Sequence, residues 1–113
     1  MFKERRRHSR LSVTWKATIV RLNGEKLPGS TDNVAPDGLN VILSKELVLG
    51  EPVRIELVTP RCHGTRFFKL DAVIVYSRQL EHNLGHAVGV RLLQPGQCYQ
   101  QCLLQLETSV GVA

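Results

Sequence analysis

The chain has 113 residues, 42% of them hydrophobic and 22% charged. That leaves room for one compact domain with one modest core and lies far from the low-hydrophobicity, high-charge signature of disorder. The net charge of +5 is concentrated: Lys3, Arg5, Arg6, Arg7 and Arg10 against Glu4 leave +4 in the first ten residues and only +1 in the other 103, so a short basic arm, residues 1–10, carries nearly all the field that would attract an anion. No run of about 18 apolar residues is present, and no apolar stretch follows the N-terminal charges, so neither a transmembrane helix nor a signal peptide is expected, whereas a cytoplasmic location is. Cys62, Cys98 and Cys102 are an odd number without framework spacing and are expected to be free thiols.

Beyond the arm, Leu11, Val13, Trp15, Ala17 and Ile19 alternate with polar residues, the period-two pattern of a half-buried strand. Asn23-Gly24 suits a tight hairpin turn. The chain is then expected to double back through Leu27 toward Val34, loosened at Pro28-Gly29. Residues 33–38, Asn33-Val34-Ala35-Pro36-Asp37-Gly38, have a loop composition. Leu39, Val41 and Leu43 alternate with Asn40 and Ser44 in a third strand. Gly50-Glu51-Pro52 is a turn, and Val53, Ile55 and Leu57 continue the alternation.

A loop is expected over Thr59 to Gly64. A longer strand from about Phe67 to Tyr76 then places Phe68, Leu70, Ala72, Ile74 and Tyr76 on one side. Glu81 to Gly85 is a polar turn. Ala87 to Leu93 is the last strand, ended by Pro95-Gly96. Cys98, Tyr99, Cys102, Leu103 and Leu106 fall on one stripe of an amphipathic helix. The expected architecture is mainly β: a six-stranded antiparallel barrel over residues 11–107 with a C-terminal α-helix, followed by a tail at 108–113.

Arg6 and Arg10 stand four apart with Arg5 and Arg7 between or beside them. The guanidinium fork pairs with phosphate oxygens or with the O6 and N7 edge of guanine, and its flat face stacks on a base. On charge alone the arm reads as a solvated run or a non-specific nucleic-acid contact. Arg78 and Arg91, near strand ends, read as solvated charges, and Trp15 as core.

The motifs Arg6-Arg7-His8-Ser9-Arg10 and Asn33-Val34-Ala35-Pro36-Asp37-Gly38, followed by Gly89-Val90-Arg91-Leu92, resemble the PilZ family. Its hallmarks are an RxxxR element before the first barrel strand and a [DN]xSxxG loop further on. The resemblance covers roughly residues 4 to 107. It implies a six-stranded PilZ-type barrel that binds the bacterial second messenger cyclic di-GMP, with no cofactor or metal expected, and acts through an effector protein; the cost of ordering the arginine arm makes its folding onto the barrel the expected signal.

The same resemblance makes Arg6 and Arg10 the principal ligand contacts, with Arg5 and Arg7 helping. Asn33 would meet a guanine edge, and Gly38 would permit close backbone approach or a positive φ. Ala35 stands where the family has serine, removing a hydroxyl whose hydrogen bond would be worth about 0.5–1.5 kcal/mol. Tyr76 reads either as a base-stacking aromatic or as a core or rim residue.

Cys62, His63, Cys98 and Cys102 lack a metal-knuckle spacing, and His82 and His86 flank a turn. No serine-histidine-aspartate set or phosphate-binding glycine loop is present, so an enzyme is not expected. Two alternatives accompany the receptor reading: a PilZ-like adaptor that binds no nucleotide, and a small basic barrel that binds nucleic acid. The low aromatic content and near-neutral body argue against the second.

Overall fold

A computed structural model describes residues 10–61 and 64–112, except for the side chains at 61, 64, 65 and 107–112. Six strands form it: β1 Lys16–Arg21, β2 Lys26–Ala35, β3 Gly38–Leu43, β4 Pro52–Arg61, β5 Gly64–Gln79 and β6 His86–Leu92, with a short 3-10 turn at Glu81–Asn83 and one helix, α1 Gln97–Val112. They close into an antiparallel barrel in the order β1-β2-β3-β6-β5-β4, in which each strand has two neighbours over part of its length. Trp15, Ala17, Ile19, Val34, Leu39, Val41, Ile55, Leu57, Phe68, Leu70, Ala72, Ile74, Val88 and Val90 point inward as one core. Among the described residues no helix is long and apolar enough to cross a membrane.

The alternation located the strands, and the prolines misplaced their ends. Pro28-Gly29 does not loosen the return, because β2 runs unbroken from Lys26 to Ala35. Likewise β4 continues through Thr59 and Pro60, which pair with Arg66 and Thr65 of β5, where a loop was expected. Both exceptions have one cause. Pro28 pairs with Thr18 of β1, while pairing to β3 begins only at Gly29; Pro60 pairs with β5 beyond Val58, where pairing of β4 to β1 ends. Each lies where its strand has a neighbour on one side only, so the missing N–H need not break a ladder.

Residues 11–15 keep the predicted alternation but are not a strand. Leu11 makes an isolated bridge to Val34, its N–H donating to the Val34 carbonyl at 2.8 Å and the Val34 N–H returning to the Leu11 carbonyl at 2.9 Å. Between that bridge and β1 the chain is tied to the buried Thr31. Its hydroxyl accepts the Trp15 N–H at 2.8 Å and donates to the Val13 carbonyl at 2.7 Å, while the Thr31 N–H donates to the Trp15 carbonyl at 2.8 Å. One side chain thus satisfies backbone groups that a regular ladder would have paired.

Helix α1 sets Tyr99, Cys102 and Leu103 against the core at the barrel end where β2 stops. The Tyr99 hydroxyl donates to the Ala35 carbonyl at 2.9 Å, and its ring meets Phe68 edge-on at 5.7 Å. Burial pushes the Tyr99 pKa up, so the hydroxyl stays a donor. Cys98, expected on the buried stripe, is exposed; it lies in the first turn of α1, one turn before the buried Cys102. At the opposite end Arg21 holds Glu51 through two contacts, 2.6 and 3.1 Å, and Glu25 at 3.1 Å, and Lys45 reaches Glu25 at 2.8 Å.

Two outcomes follow. Thr31→Val keeps the shape but orphans the Trp15 N–H and the Val13 carbonyl, and is expected to lower unfolding stability by about 2–4 kcal/mol in urea titration, with Thr31→Ser close to wild type. The hydrogen bond from Lys45, then that from Arg21, holds the Glu25 carboxyl below the usual glutamate range. The folded pKa lies below the unfolded one, so this contribution is present above the ordinary glutamate value and fades as pH falls through the folded one. Urea midpoints measured from pH 7 to pH 3 should decline on the acid side, and Glu25→Gln should flatten that decline.

Candidate functional site

The loop expected at residues 33–38 is a hairpin instead. Asn33, Val34 and Ala35 end β2, Pro36-Asp37 makes a two-residue turn, and Gly38 opens β3 opposite Ala35. The fixed φ of Pro36 suits the leading corner of that turn. Gly38 does not adopt a positive φ; the close approach is what it supplies, since a Cβ there would fall 2.6 Å from the Val90 carbonyl oxygen.

A bulge decides what the end of β2 shows to solvent. Thr31 pairs with Val41 and Asn33 with Asn40, leaving Asp32 as the extra residue. Strict alternation from the buried Thr31 would have turned Asn33 inward and Val34 outward. The inserted residue reverses them, so Val34 enters the core and Asn33 stands outside beside Asn40, the re-aiming that bulges accomplish.

A second bulge does the same on β5. Ile74 pairs with Val90 and Tyr76 with Gly89, leaving Val75 extra. Phe68, Leu70, Ala72 and Ile74 are buried as expected, but Tyr76, assigned to the same side, is turned out and 39% exposed. Its ring lies over Gly89, where a Cβ would come within 2.4 Å of the ring, and its hydroxyl donates to Asn40 Oδ1. Only glycine leaves room for that ring to cross β6.

The two bulges therefore bound one row on the outer surface: Asn33 on β2, Asn40 on β3, Gly89 on β6 and Tyr76 on β5, each the cross-strand partner of the next. Three strand spacings make it about 14 Å long. Arg10 stands at its first end, Nη1 donating to Asn33 Oδ1 at 2.8 Å, and Asn33 Nδ2 approaches Asp32 Oδ2 at 3.3 Å. The end of the basic arm and the polar end of β2 thus meet on one face, side chain to side chain and, through Leu11 and Val34, backbone to backbone.

Of the residues singled out from the sequence, Arg10, Asn33, Gly38 and Tyr76 share this face. Ala35 lies beside it but is 3% exposed, with its carbonyl held by Tyr99. Arg5, Arg6 and Arg7 lie outside the described residues, as do Cys62 and His63. Asn40 and Gly89 were not singled out as site residues. The outward register of Asn40 was readable from the alternation of β3; the covering of Gly89 by a ring from β5 was not.

Such a face offers amide and guanidinium donors along a line and a ring lying against the barrel wall, which is equipment for a flat, acceptor-rich anion. Comparison with solved structures agrees on the fold. The inhibitor of motility MotI/DgrA of Bacillus subtilis superposes with a TM-score of 0.82 at 20% identity, covering 97% of this chain and 53% of that one. YcgR of Escherichia coli, in complex with c-di-GMP, gives 0.75 at 18% identity over 96% of this chain and 46% of YcgR. The PilZ domain of YcgR with c-di-GMP gives 0.69 at 17% identity, covering 94% and 91% respectively. The chain spans about half the length of the first two. A search of curated proteins gave no match. The PilZ domain model matches residues 4–108, from the basic arm through all six strands and into α1, and the chain belongs to the PilZ domain family.

Proposed function

We propose that this chain is a cyclic di-GMP receptor rather than an enzyme, working in the bacterial cytoplasm by presenting a changed surface to a partner protein. The observation that carries the reading is the meeting of Arg10 and Asn33 at the head of a row ending in the exposed Tyr76. Two of the structural neighbours are complexes with c-di-GMP, which favours this ligand among acceptor-rich anions. In this reading Arg6 and Arg10, helped by Arg5 and Arg7, grip phosphate and guanine, Asn33 reads a guanine edge, and Tyr76 offers a stacking surface. Gly38 leaves the wall low enough for the ligand to lie on, and Ala35 is set back in the barrel beside it. No cofactor or metal takes part.

Binding becomes a signal through the cost of ordering the arm. Fixing a flexible residue costs about 1–2 kcal/mol, and a charge-assisted hydrogen bond returns about 1.5–3 kcal/mol, so several arginines must engage together for the arm to settle. The dianionic ligand supplies that many partners at once and folds the arm onto the β2–β3 hairpin.

Calorimetric titration with cyclic di-GMP, with GTP and a short oligonucleotide as controls, tests the reading. Saturable binding is expected, lost in Arg6→Ala and in Arg10→Ala. No binding at all would select the non-binding adaptor, and oligonucleotide binding that weakens steeply with salt would select a nucleic-acid module. Amide hydrogen exchange should show added protection across residues 4–12 on saturation; unchanged protection there would remove the arm from the mechanism.

A further inference from the structure

A second row lies beside the first, toward the end covered by α1, and its charged member, Arg91, was read from the sequence only as a solvated charge. Ala35, Gly38, Arg91 and Val73 are successive cross-strand partners on β2, β3, β6 and β5. Val90 and Leu92 are buried and Arg91 is exposed, so its side chain leaves the barrel on the outer face. It is two residues from Gly89 along β6 and therefore rises about 7 Å from the backbone that the Tyr76 ring covers. Nothing stands between it and Ala35, because Gly38, with no side chain, is the intervening residue. The gap is about two strand spacings, near 10 Å.

The electrostatics of this face favour an acceptor. Neither β3 nor β6 contains an acidic residue, and β5 has none from Val73 to Gln79. The carboxylates that flank the row are Asp37 in the turn and Asp71, which is held by Arg54 at 3.4 Å. Arg91 takes part in no ion pair among the described residues. By contrast the β4–β5 face pairs its charges, Arg54 with Asp71 and Glu56 opposite Lys69. An unopposed guanidinium beside an aromatic ring on an open wall reaches the edge of whatever lies on that ring.

We propose that Arg91 is a further ligand-binding residue, which reads the O6 and N7 edge of a purine laid against Tyr76 and so selects guanine over adenine. Guanine presents two acceptors there to the guanidinium fork, whereas adenine replaces O6 with an amino donor that opposes it. The inference rests on the receptor reading above and assigns to that site the residue that sets its base preference.

The test titrates cyclic di-GMP and cyclic di-AMP into wild type, Arg91→Ala, Arg91→Lys and Arg54→Ala, the last removing the same charge from β4, two strands away from β6. Wild type is expected to prefer cyclic di-GMP. Arg91→Ala should weaken cyclic di-GMP by about ten- to a hundredfold while changing cyclic di-AMP much less, so that the preference collapses. Arg91→Lys, which keeps the charge and loses the fork, should restore little of it, and Arg54→Ala should keep it. Arg91→Ala behaving like Arg54→Ala, or weakening both nucleotides equally, overturns the assignment while leaving the receptor reading intact. Wild type failing to bind either nucleotide overturns the receptor reading itself. Thermal melting confirms that each variant is folded, and Arg91→Gln, which keeps most of the stem, replaces Arg91→Ala if that variant does not fold.

Discussion

In a closed barrel every side chain is committed to one face by the period of two along its strand, and the only way to change that commitment without breaking closure is to insert a residue. This chain does so twice, at Asp32 on β2 and Val75 on β5, and the two insertions stand at opposite ends of a single cross-strand row. Remove either and the register beyond it inverts: Asn33 would enter the core and Val34 leave it, or Tyr76 would turn in. The outer face would then lose its amide at one end or its ring at the other. The site is thus a consequence of where the barrel departs from regularity, and the inward core residues on either side of each bulge fix the departure in place.

The arm depends on the same irregularity. A strand that bulges cannot pair regularly with a neighbour, and residues 13–15 face β2 just where it does so. The Thr31 hydroxyl makes good the loss, holding both a donor and an acceptor of the incoming chain. That brings Leu11 to Val34 and Arg10 to Asn33. The junction of arm and barrel is accordingly rigid up to Leu11, so any ordering of the preceding arginines starts from a fixed point a few Å from the row they would serve. A loose junction would add its own entropy to the cost of engaging them.

Hydrophobic alternation made most of the barrel legible, because Ala17, Ile19, Val41, Ile55, Leu57 and Leu70 each sit on the predicted face. What alternation cannot report is its own interruption. The consecutive polar pair Asp32-Asn33 left a faint trace of one bulge. Val75-Tyr76 left none: strict alternation from Phe68 put Tyr76 on the side of Ile74, even as it was read either as a base-stacking aromatic or as a core or rim residue. Pro28 and Pro60 were read as breakers because a sequence does not say which strands have only one neighbour. Arg10 and residues 33–38 were singled out through family resemblance and meet on one face, whereas Asn40, outward by alternation, and Arg91, read as a solvated charge, joined that face only through the register.

The same geometry explains why the face tolerates two glycines in a sheet, where glycine ordinarily weakens a strand. Gly38 and Gly89 are each crowded, one by the Val90 carbonyl and the other by the Tyr76 ring, so neither is slack in the wall. At Gly89 the space a side chain would fill is taken by an aromatic ring from the next strand, which covers the backbone and returns the packing that glycine lacks. At Gly38 the backbone itself closes up. The outer face is therefore low at Gly38, while Asn40 on β3, the Tyr76 ring over Gly89 and Arg91 on β6 stand around it. Closure of the barrel makes that face stiff, so it is a preformed surface.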